Sequence, residues 1–149
     1  MTDEPPRPAT IGQILRGLTL EGIVLWDCSV ERGSAPGSST KHVNGSINLE
    51  PGLSEDGLIL VLAKGTWEFT NDDEESIVTV SATFAITYEG DLSSADVDQT
   101  ELVTQLGRSA IVQVTPFHRE FLATITNRLG IDAFYLPLMR KNDIKIVAK

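Results

Sequence analysis

Residues 57–89 read GLILVLAKGTWEFTNDDEESIVTVSATFAITYE, and this stretch decides the fold. Its two ends, 57–70 and 76–89, alternate between apolar and other residues, which predicts two strands with one apolar face each. The apolar positions are Ile59, Val61, Ala63, Trp67 and Phe69 in the first strand, and Val78, Val80, Ala82, Phe84, Ile86 and Tyr88 in the second. The polar residues between the two strands suit a turn. We therefore expect an antiparallel hairpin of two long strands.

Two further strands are predicted before this hairpin. Residues 18–27 place Leu18, Leu20, Val24 and Trp26 on one face, and Ile23 and Leu25 on the other. Residues 43–50 alternate with a period of two, and Pro51–Gly52 then ends that strand. Residues 28–42, rich in serine, glycine and charge, form a long connection across the surface between these two strands.

Helices are predicted only after the hairpin. Thr100 can cap a helix over residues 101–106, which the following glycine interrupts. A second helix begins with Pro116 in its first position, and Gly130 suits its left-handed stop. Because the strands come first and the helices afterwards, we expect an α+β fold with a four-stranded antiparallel meander.

Length and charge restrict the class of protein. The 149 residues suit one domain, and we expect 1–10, which contains three prolines, to be a flexible tail and 11–149 to be the domain. The net charge of −9 argues against nucleic-acid binding and allows basic partners. The longest apolar run, Leu58–Ala63, is far shorter than the roughly 20 residues of a membrane-spanning helix. One cysteine and no leader at Met1–Ile14 predict a cytoplasmic protein.

No pattern in the sequence indicates catalysis, a metal site or a cofactor. The two histidines, His42 and His118, are not spaced with each other or with Cys28 as metal ligands are. No glycine-rich phosphate loop is present, so we expect no nucleotide. The rival hypothesis is an enzyme with Cys28 as nucleophile and His118 as base, which thiol alkylation would test. The acidic run 72–75 fits either a basic partner or a solvated turn.

The strands carry more apolar surface than two helices can cover. Leu58, Leu60, Leu62 and Ile77 are expected on the second face of the sheet, where water would meet them. Either several chains share a core, or part of this surface is a groove for an apolar ligand. We therefore expect a homo-oligomer, a dimer or more plausibly a tetramer.

Residues 114–130, VTPFHREFLATITNRLG, followed by Leu136-Pro137, resemble the SecB family of export chaperones and its SecB-like relatives. The family pattern is Pro-aromatic-x-Arg-Glu, and the matching positions are Pro116, Phe117, Arg119, Glu120 and Gly130. Upstream, the alternating strand that ends Tyr88-Glu89-Gly90 resembles the last sheet strand of the family, and Ile14–Leu18 resembles its first. The resemblance covers roughly residues 11–138.

This resemblance implies a SecB-like fold: a four-stranded antiparallel sheet with a long crossover loop and helices on one side. It implies dimers of dimers that hold unfolded polypeptides in a hydrophobic groove without ATP. Alternate residues of the last strand partly line that groove, and they match Val78, Val80 and Ala82 here. We extend the candidate client-binding groove to Phe84, Trp26 and Trp67.

Two departures from the family shape the expected function. The sequence after Leu138 has no amphipathic pattern that matches the C-terminal helix of the family. The family docks the SecA motor through a carboxylate on the last strand, where Ile77 and Thr79 stand here, so we do not expect SecA docking. The chain looks more like the SecB-like chaperones that accompany toxin–antitoxin systems. The primary hypothesis is thus a non-enzymatic holdase for unfolded clients in protein export or toxin–antitoxin control, and the alternative is an adaptor for one dedicated folded partner, such as an antitoxin.

Overall fold

The computed structural model describes residues 10–53, 58–90, 99–131, 134 and 144–146. Within these described residues, two helices and five strands follow one another. In order they are α1 (Ile11–Arg16), β1 (Thr19–Arg32), β2 (His42–Leu53), β3 (Leu58–Thr70), β4 (Ser76–Glu89), α2 (Gln99–Arg128) and β5 (Ile144–Ile146). Of the predicted tail 1–10, residues 1–9 lie outside the described residues, and Thr10 is the N-cap of α1. Leu136-Pro137, which belongs to the resemblance, also lies outside the described residues.

One sheet with strand order β1-β4-β3-β2-β5 forms the body of the described fold. The first four strands are antiparallel, and β5 adds to β2 in parallel. The predicted hairpin is β3 with β4, in a register that pairs Ala63 with Phe84 and Trp67 with Val80. The expected four-stranded antiparallel α+β fold is thus confirmed, and α2 packs on β2, β3 and β4.

The strand β1 is longer and less regular than predicted. It continues to Arg32, so the connection to β2 shrinks to residues 33–41. The connection crosses from one edge of the antiparallel sheet to the other and is held by hydrogen bonds from Gly33 N to Ile77 O (2.9 Å) and from Lys41 N to Thr70 O (2.8 Å). The Asn71 amide also donates to Ser38 Oγ (3.2 Å). Hydrogen bonds to the end of the β3–β4 hairpin therefore hold the crossover in place.

The prediction that Pro51 and Gly52 end β2 is wrong, because the strand runs through both to Leu53. Proline cannot donate to a ladder, which excludes it from central strands but not from edges. In the described structure β5 pairs with residues 47–49 only, so Pro51 needs no donor on that side.

The prediction of two separate helices after the hairpin is also wrong, because α2 is continuous from Gln99 to Arg128 with Pro116 inside it. Seven buried residues recur every fourth position along it: Leu102, Leu106, Ala110, Val114, His118, Leu122 and Thr126. This row spans both presumed breaks. Gly107 is itself buried, and Pro116 is exposed, where the missing N–H costs least. Burial of one long face therefore outweighs two helix-breaking residues.

Residues 14–18 do not form the first strand that the resemblance implied. They lie in and after α1, which begins at a capping box in which Thr10 Oγ1 accepts from Gln13 N (3.2 Å) and Thr10 N donates to Gln13 Oε1 (3.0 Å). Such reciprocal capping satisfies two otherwise unpaired donors and fixes the start of a helix.

Candidate functional site

Among the four antiparallel strands, the edge strand β1 is the most exposed. Of its 14 residues only Gly22 and Ile23 are partly buried, and the other 12 are exposed. Among the described residues its one strand partner is β4, so its far edge presents backbone donors and acceptors. An edge of this kind is a template for another strand or chain.

Four apolar residues of β1 lie on the same face of the sheet as α2. Leu20, Ile23, Leu25 and Val30 pair with Tyr88, Ile86, Phe84 and Val80 of β4, respectively. Directly paired residues of antiparallel strands point to the same face, and these β4 side chains are buried in the core. The helix nevertheless leaves the β1 residues partly open, since Leu25 is 47% exposed and Leu20 is 41% exposed.

The other wall of this surface is one side of α2. Phe117, 39% exposed, packs edge-on against Phe84 with ring centroids 5.9 Å apart. Phe121 contacts the same ring at 6.4 Å, and Tyr88 OH donates to Gln113 Oε1. Burial raises the pKa of Tyr88 to about 12, so the phenol stays protonated as the donor. We call this surface the β1–α2 groove, defined by Leu20, Ile23, Leu25, Val30 and Phe117, with Phe84 and Tyr88 as its floor.

Most of the residues predicted for client binding lie below this groove rather than in it. Val78, Val80 and Ala82 have no exposed surface, while Trp67 is 2% and Phe84 6% exposed. All five side chains belong to the core cluster that α2 covers. Their role in client binding stays a prediction, and it requires α2 to move away from the sheet.

Trp26 lies on the opposite face from those five residues. A register shift between Leu25 and Asp27 makes Trp26 the extra residue of a β-bulge. After this bulge, the even-numbered residues of β1 face α2, whereas Ile23 and Leu25 face it before the bulge. Its indole is 61% exposed and borders a depression of about 430 Å³, whose other lining residues include Leu62, Lys64 and Thr83. The structure therefore does not bring Trp26 together with the other predicted groove residues.

The second face of the sheet is less apolar than expected. Leu58 is 36% exposed, and Leu60 and Leu62 are half-buried. Ile77, which was expected to face water beside Thr79, is fully buried in the core cluster, so that expectation is wrong. The physical reason is a register shift at the end of the β3–β4 ladder, which leaves Ile77 unpaired with β3.

The structure does not pair His118 with Cys28. His118 is fully buried on the sheet-facing side of α2, and its Nε2 lies 3.2 Å from Ala63 O, so this nitrogen carries the hydrogen and donates. Its Nδ1 has no hydrogen-bond partner among the described residues, and the ring contacts Phe84 and Trp67 at 4.7 and 5.1 Å. Desolvation lowers the pKa of His118 to about 4, against the smaller raising effect of the Ala63 carbonyl. Cys28 is exposed on β1.

The residues that match the family pattern lie on α2 and at its C-terminal end, and they differ in exposure. Pro116 and Glu120 are exposed on α2, Arg119 is half-buried, and Phe117 is a wall of the groove. Gly130 ends the helix with a φ of 73°, as predicted. Gly130 N donates to Asn127 O and Ile131 N to Thr126 O, both at 3.2 Å, which is the hydrogen-bond pattern of a Schellman motif.

The strand β1 carries Glu21, Asp27, Glu31 and Arg32. Asp27 and Glu31 pair with Thr83 and Thr79 and so lie on the face of the sheet opposite to the groove, whereas Arg32 pairs with Val78 on the groove's own face. At one end, a hydrogen bond and the charge of Glu89 raise the pKa of Glu21. A strand that paired with the β1 edge and alternated apolar with basic residues would place its basic side chains on the face of Asp27 and Glu31 and its apolar side chains on the face of the groove. The described residues hold no cluster of three or more His, Cys, Asp or Glu side chains that could bind a metal. None of their helices is long and apolar enough to cross a membrane.

Comparison with solved structures shows that the fold is SecB-like. A SecB-like chaperone of Mycobacterium tuberculosis, solved in complex with a peptide from the HigA1 antitoxin, aligns with a TM-score of 0.67 and 18% sequence identity, over 88% of this chain and 97% of that one. A protein of unknown function from Streptococcus agalactiae aligns with a TM-score of 0.38 and 11% identity, over 81% and 97% of the two chains. No protein-family model matches the sequence, and no curated protein is similar to it.

Proposed function

We propose that this protein is a SecB-like chaperone that holds extended apolar segments of non-native polypeptides without ATP and without catalysis. The observation that carries the proposal is the β1–α2 groove, in which Leu20, Leu25, Val30 and Phe117 remain 38–47% exposed on a SecB-like fold. Exposed apolar surface beside a sheet edge is typical of protein-binding sites.

The size of the groove sets what it can hold. Full burial of one such side chain is worth ~1.5–3 kcal/mol, so covering four that are about 40% exposed gains roughly 2–5 kcal/mol. Micromolar affinity needs about 8 kcal/mol. One groove therefore binds weakly and reversibly, and two grooves side by side would bind a longer segment more tightly.

We infer that copies of the chain associate through the β1 edge. Edge pairing would extend the sheet and leave the α2-facing residues of β1 accessible, because hydrogen bonds to the new strand lie in the plane of the sheet. The grooves of two copies would then meet along a shared boundary. On the opposite face of β1, side chains of the partner strand would help to cover Val24 and Trp26.

The kind of client follows from charge and from the structural neighbour. The acidic residues of β1 favour segments in which lysine or arginine alternates with apolar residues. The aligned chaperone binds an antitoxin peptide, which supports an antitoxin segment as a client of this chain within a toxin–antitoxin system. Protein export is the second setting we propose, with no docking to the SecA motor.

The deciding experiment measures client binding by a groove variant. We expect Phe117→Ala to weaken the binding of an unfolded client by roughly 5–10-fold. We also expect the variant protein to suppress client aggregation less effectively than the wild type. The matched control is Val112→Ala, since Val112 is 73% exposed on α2, about 140° around the helix from Phe117. Equal affinity of both variants and the wild type, or no suppression of aggregation by wild type in several-fold excess, would show that the proposal is wrong.

The alternative function is an adaptor that pairs its β1 edge with one dedicated partner. The exposed far edge of β1 favours it. A panel of unrelated unfolded proteins separates the two functions, because a holdase binds most of them, whereas an adaptor retains a single partner and does not respond to Phe117→Ala.

A further inference from the structure

The opposite edge of the sheet is occupied by the chain itself. The strand β5 pairs in parallel with β2, in the register Ile47 with Ile144, Asn48 with Lys145 and Leu49 with Ile146. Ile47 and Leu49 are fully buried on the face covered by α2, and Asn48 lies on the other face. The segment thus takes the place of an added strand.

The pairing is short for the edge that it occupies. It covers three of the 12 residues of β2, and parallel ladders are slightly less stable per residue than antiparallel ones. A three-residue strand makes few ladder hydrogen bonds, each with a net worth of ~1 kcal/mol. Detachment of β5 therefore costs little compared with opening any of the long antiparallel pairs.

The sequence of β5 shows which residue types pair with the β2 edge. Residues 141–149, KNDIKIVAK, contain three lysines and one aspartate, giving 3 − 1 = +2 on a chain of net charge −9. Within β5, an apolar, a basic and an apolar residue stand at the register positions of Ile47, Asn48 and Leu49. The basic position adjoins the row that runs through Asn48, Lys64, Thr83 and Asp27 across the sheet.

We propose that β5 is a displaceable internal ligand of the β2 edge, and that an extended polypeptide segment with an apolar-basic-apolar pattern pairs with β2 when β5 detaches. The proposal deepens the chaperone function proposed above and rests on it for the nature of the partner. It adds a second binding surface, separate from the β1–α2 groove, on which binding depends mainly on backbone pairing and is opposed by the chain's own strand.

The test uses the full chain and a labelled peptide of sequence KNDIKIVAK as the probe. We expect the wild type to bind the peptide weakly, because the tethered strand competes at a high effective concentration. Lys145→Pro removes a backbone donor and bends β5 away from β2. We expect this variant to bind the peptide at least ~10-fold more tightly than the wild type. A ~10-fold gain in affinity follows if β5 occupies the β2 edge about nine-tenths of the time in the wild type. Lys145→Ala keeps the donor and is the matched control, expected to bind like the wild type.

A reversible lock provides the second measurement, in case proline at this position disturbs folding. In a Cys28→Ser background, Asn48→Cys with Lys145→Cys places two thiols at paired positions of the two strands. We expect the oxidised protein to lose peptide binding and the reduced protein to regain it. Equal peptide binding by the oxidised and reduced forms, or by Lys145→Pro and the wild type, would overturn the proposal.

Phe117→Ala separates this result from the function proposed above. We expect Phe117→Ala to leave unchanged the ~10-fold gain in affinity for the KNDIKIVAK peptide that Lys145→Pro produces, while it weakens the binding of an unfolded client. If the peptide result holds and the client result fails, the β2 edge is a peptide site on a protein that is not a holdase. If the client result holds and the peptide result fails, β5 is a fixed part of the sheet.

Discussion

At the residue scale, Trp67 shows how two glycines make room for one large side chain. A Cβ at Gly65 would overlap the six-membered ring of Trp67, and a Cβ at Gly45 would overlap its five-membered ring. Both glycines share the α2-facing side of the sheet with Trp67, and Gly45 is its direct partner in the β2–β3 ladder. The indole therefore lies across both positions, under His118.

The first prediction is that Gly65→Ala destabilises the protein. The added methyl group forces Trp67 from its site, and overpacking of this kind costs roughly 1–3 kcal/mol in the free energy of unfolding. The measurement is equilibrium denaturation with urea. Gly22→Ala is the control, because a Cβ there meets nothing within 4 Å, and its effect should stay below about 0.5 kcal/mol. Equal stability of the two variants would contradict this account of Trp67.

The second prediction concerns acid stability and His118. Burial holds the pKa of His118 at about 4 in the folded protein, against 6.5 in the unfolded chain, so the unfolded state binds the proton first. The contribution of His118 is therefore complete above pH 6.5 and is lost as the pH falls towards 4, by about 3 kcal/mol in all. The difference in unfolding free energy between wild type and His118→Gln should shrink or reverse over this range. His42→Gln, at an exposed histidine, is the control variant for the same measurement of unfolding free energy.

At the scale of single elements, the end of α2 is set by one backbone angle. Gly130 has a φ of 73°, in the left-handed region, and a Cβ there would meet nothing within 4 Å. The third prediction is that Gly130→Ala lowers the free energy of unfolding by ~1–2 kcal/mol through backbone strain alone, and that Gly130→Asn lowers it by less. Gly37→Ala, at an open position without a left-handed φ, is the control for thermal denaturation. A Gly130→Ala protein with wild-type stability would contradict the assignment.

The elements that could be predicted from sequence are those whose local pattern and tertiary packing agree. The alternation in residues 76–89 matches β4 at both ends, because its apolar side faces the core along its whole length. The break expected at Pro116 does not occur, since the row of buried residues in α2 stabilises the helix on both sides of it. A helix-breaking residue such as proline therefore predicts the end of a helix only where tertiary packing does not stabilise the helix on both sides of that residue.

The sequence shows the apolar residues that form the groove, but it does not show which of them share a face of the sheet. The apolar residues of β1 on both faces are visible in the sequence, and they indicated unburied surface. Two bulges, between Leu20 and Gly22 and between Leu25 and Asp27, change which residues share a face, so Leu20 joins Ile23 and Leu25 rather than Val24. Bulges depend on pairing with β4, and no period in β1 alone reveals them.

At the scale of the whole molecule, the two edges of the sheet differ in protection. The β2 edge is paired over residues 47–49 with β5, whereas the far edge of β1 has no strand partner in the described structure. The side chains of β1 add exposed apolar surface there, with Val24 at 58% and Trp26 at 61%. Association is therefore expected at β1 rather than at β2.

The last prediction is that the protein forms a homo-oligomer, most plausibly a tetramer, at micromolar concentration in 0.15 M salt. Burial of the apolar side chains of β1 favours assembly, and the charge of −9 per chain opposes it but is screened beyond about 8 Å at this ionic strength. Low salt should therefore weaken the oligomer. Val24→Glu with Trp26→Glu should dissociate it, because each adds a desolvation cost and repulsion at the interface.

Sedimentation velocity provides the measurement, with Val112→Glu as the control at an equally exposed apolar residue outside β1. We expect the control to sediment with the wild type and the β1 double variant to sediment as a monomer of 16.2 kDa with unchanged thermal stability. A wild-type monomer under these conditions would exclude β1 as a self-association edge. The exposed strand would then be available to a different chain, as the adaptor alternative requires, because β1 would still carry an unpaired edge and uncovered apolar side chains.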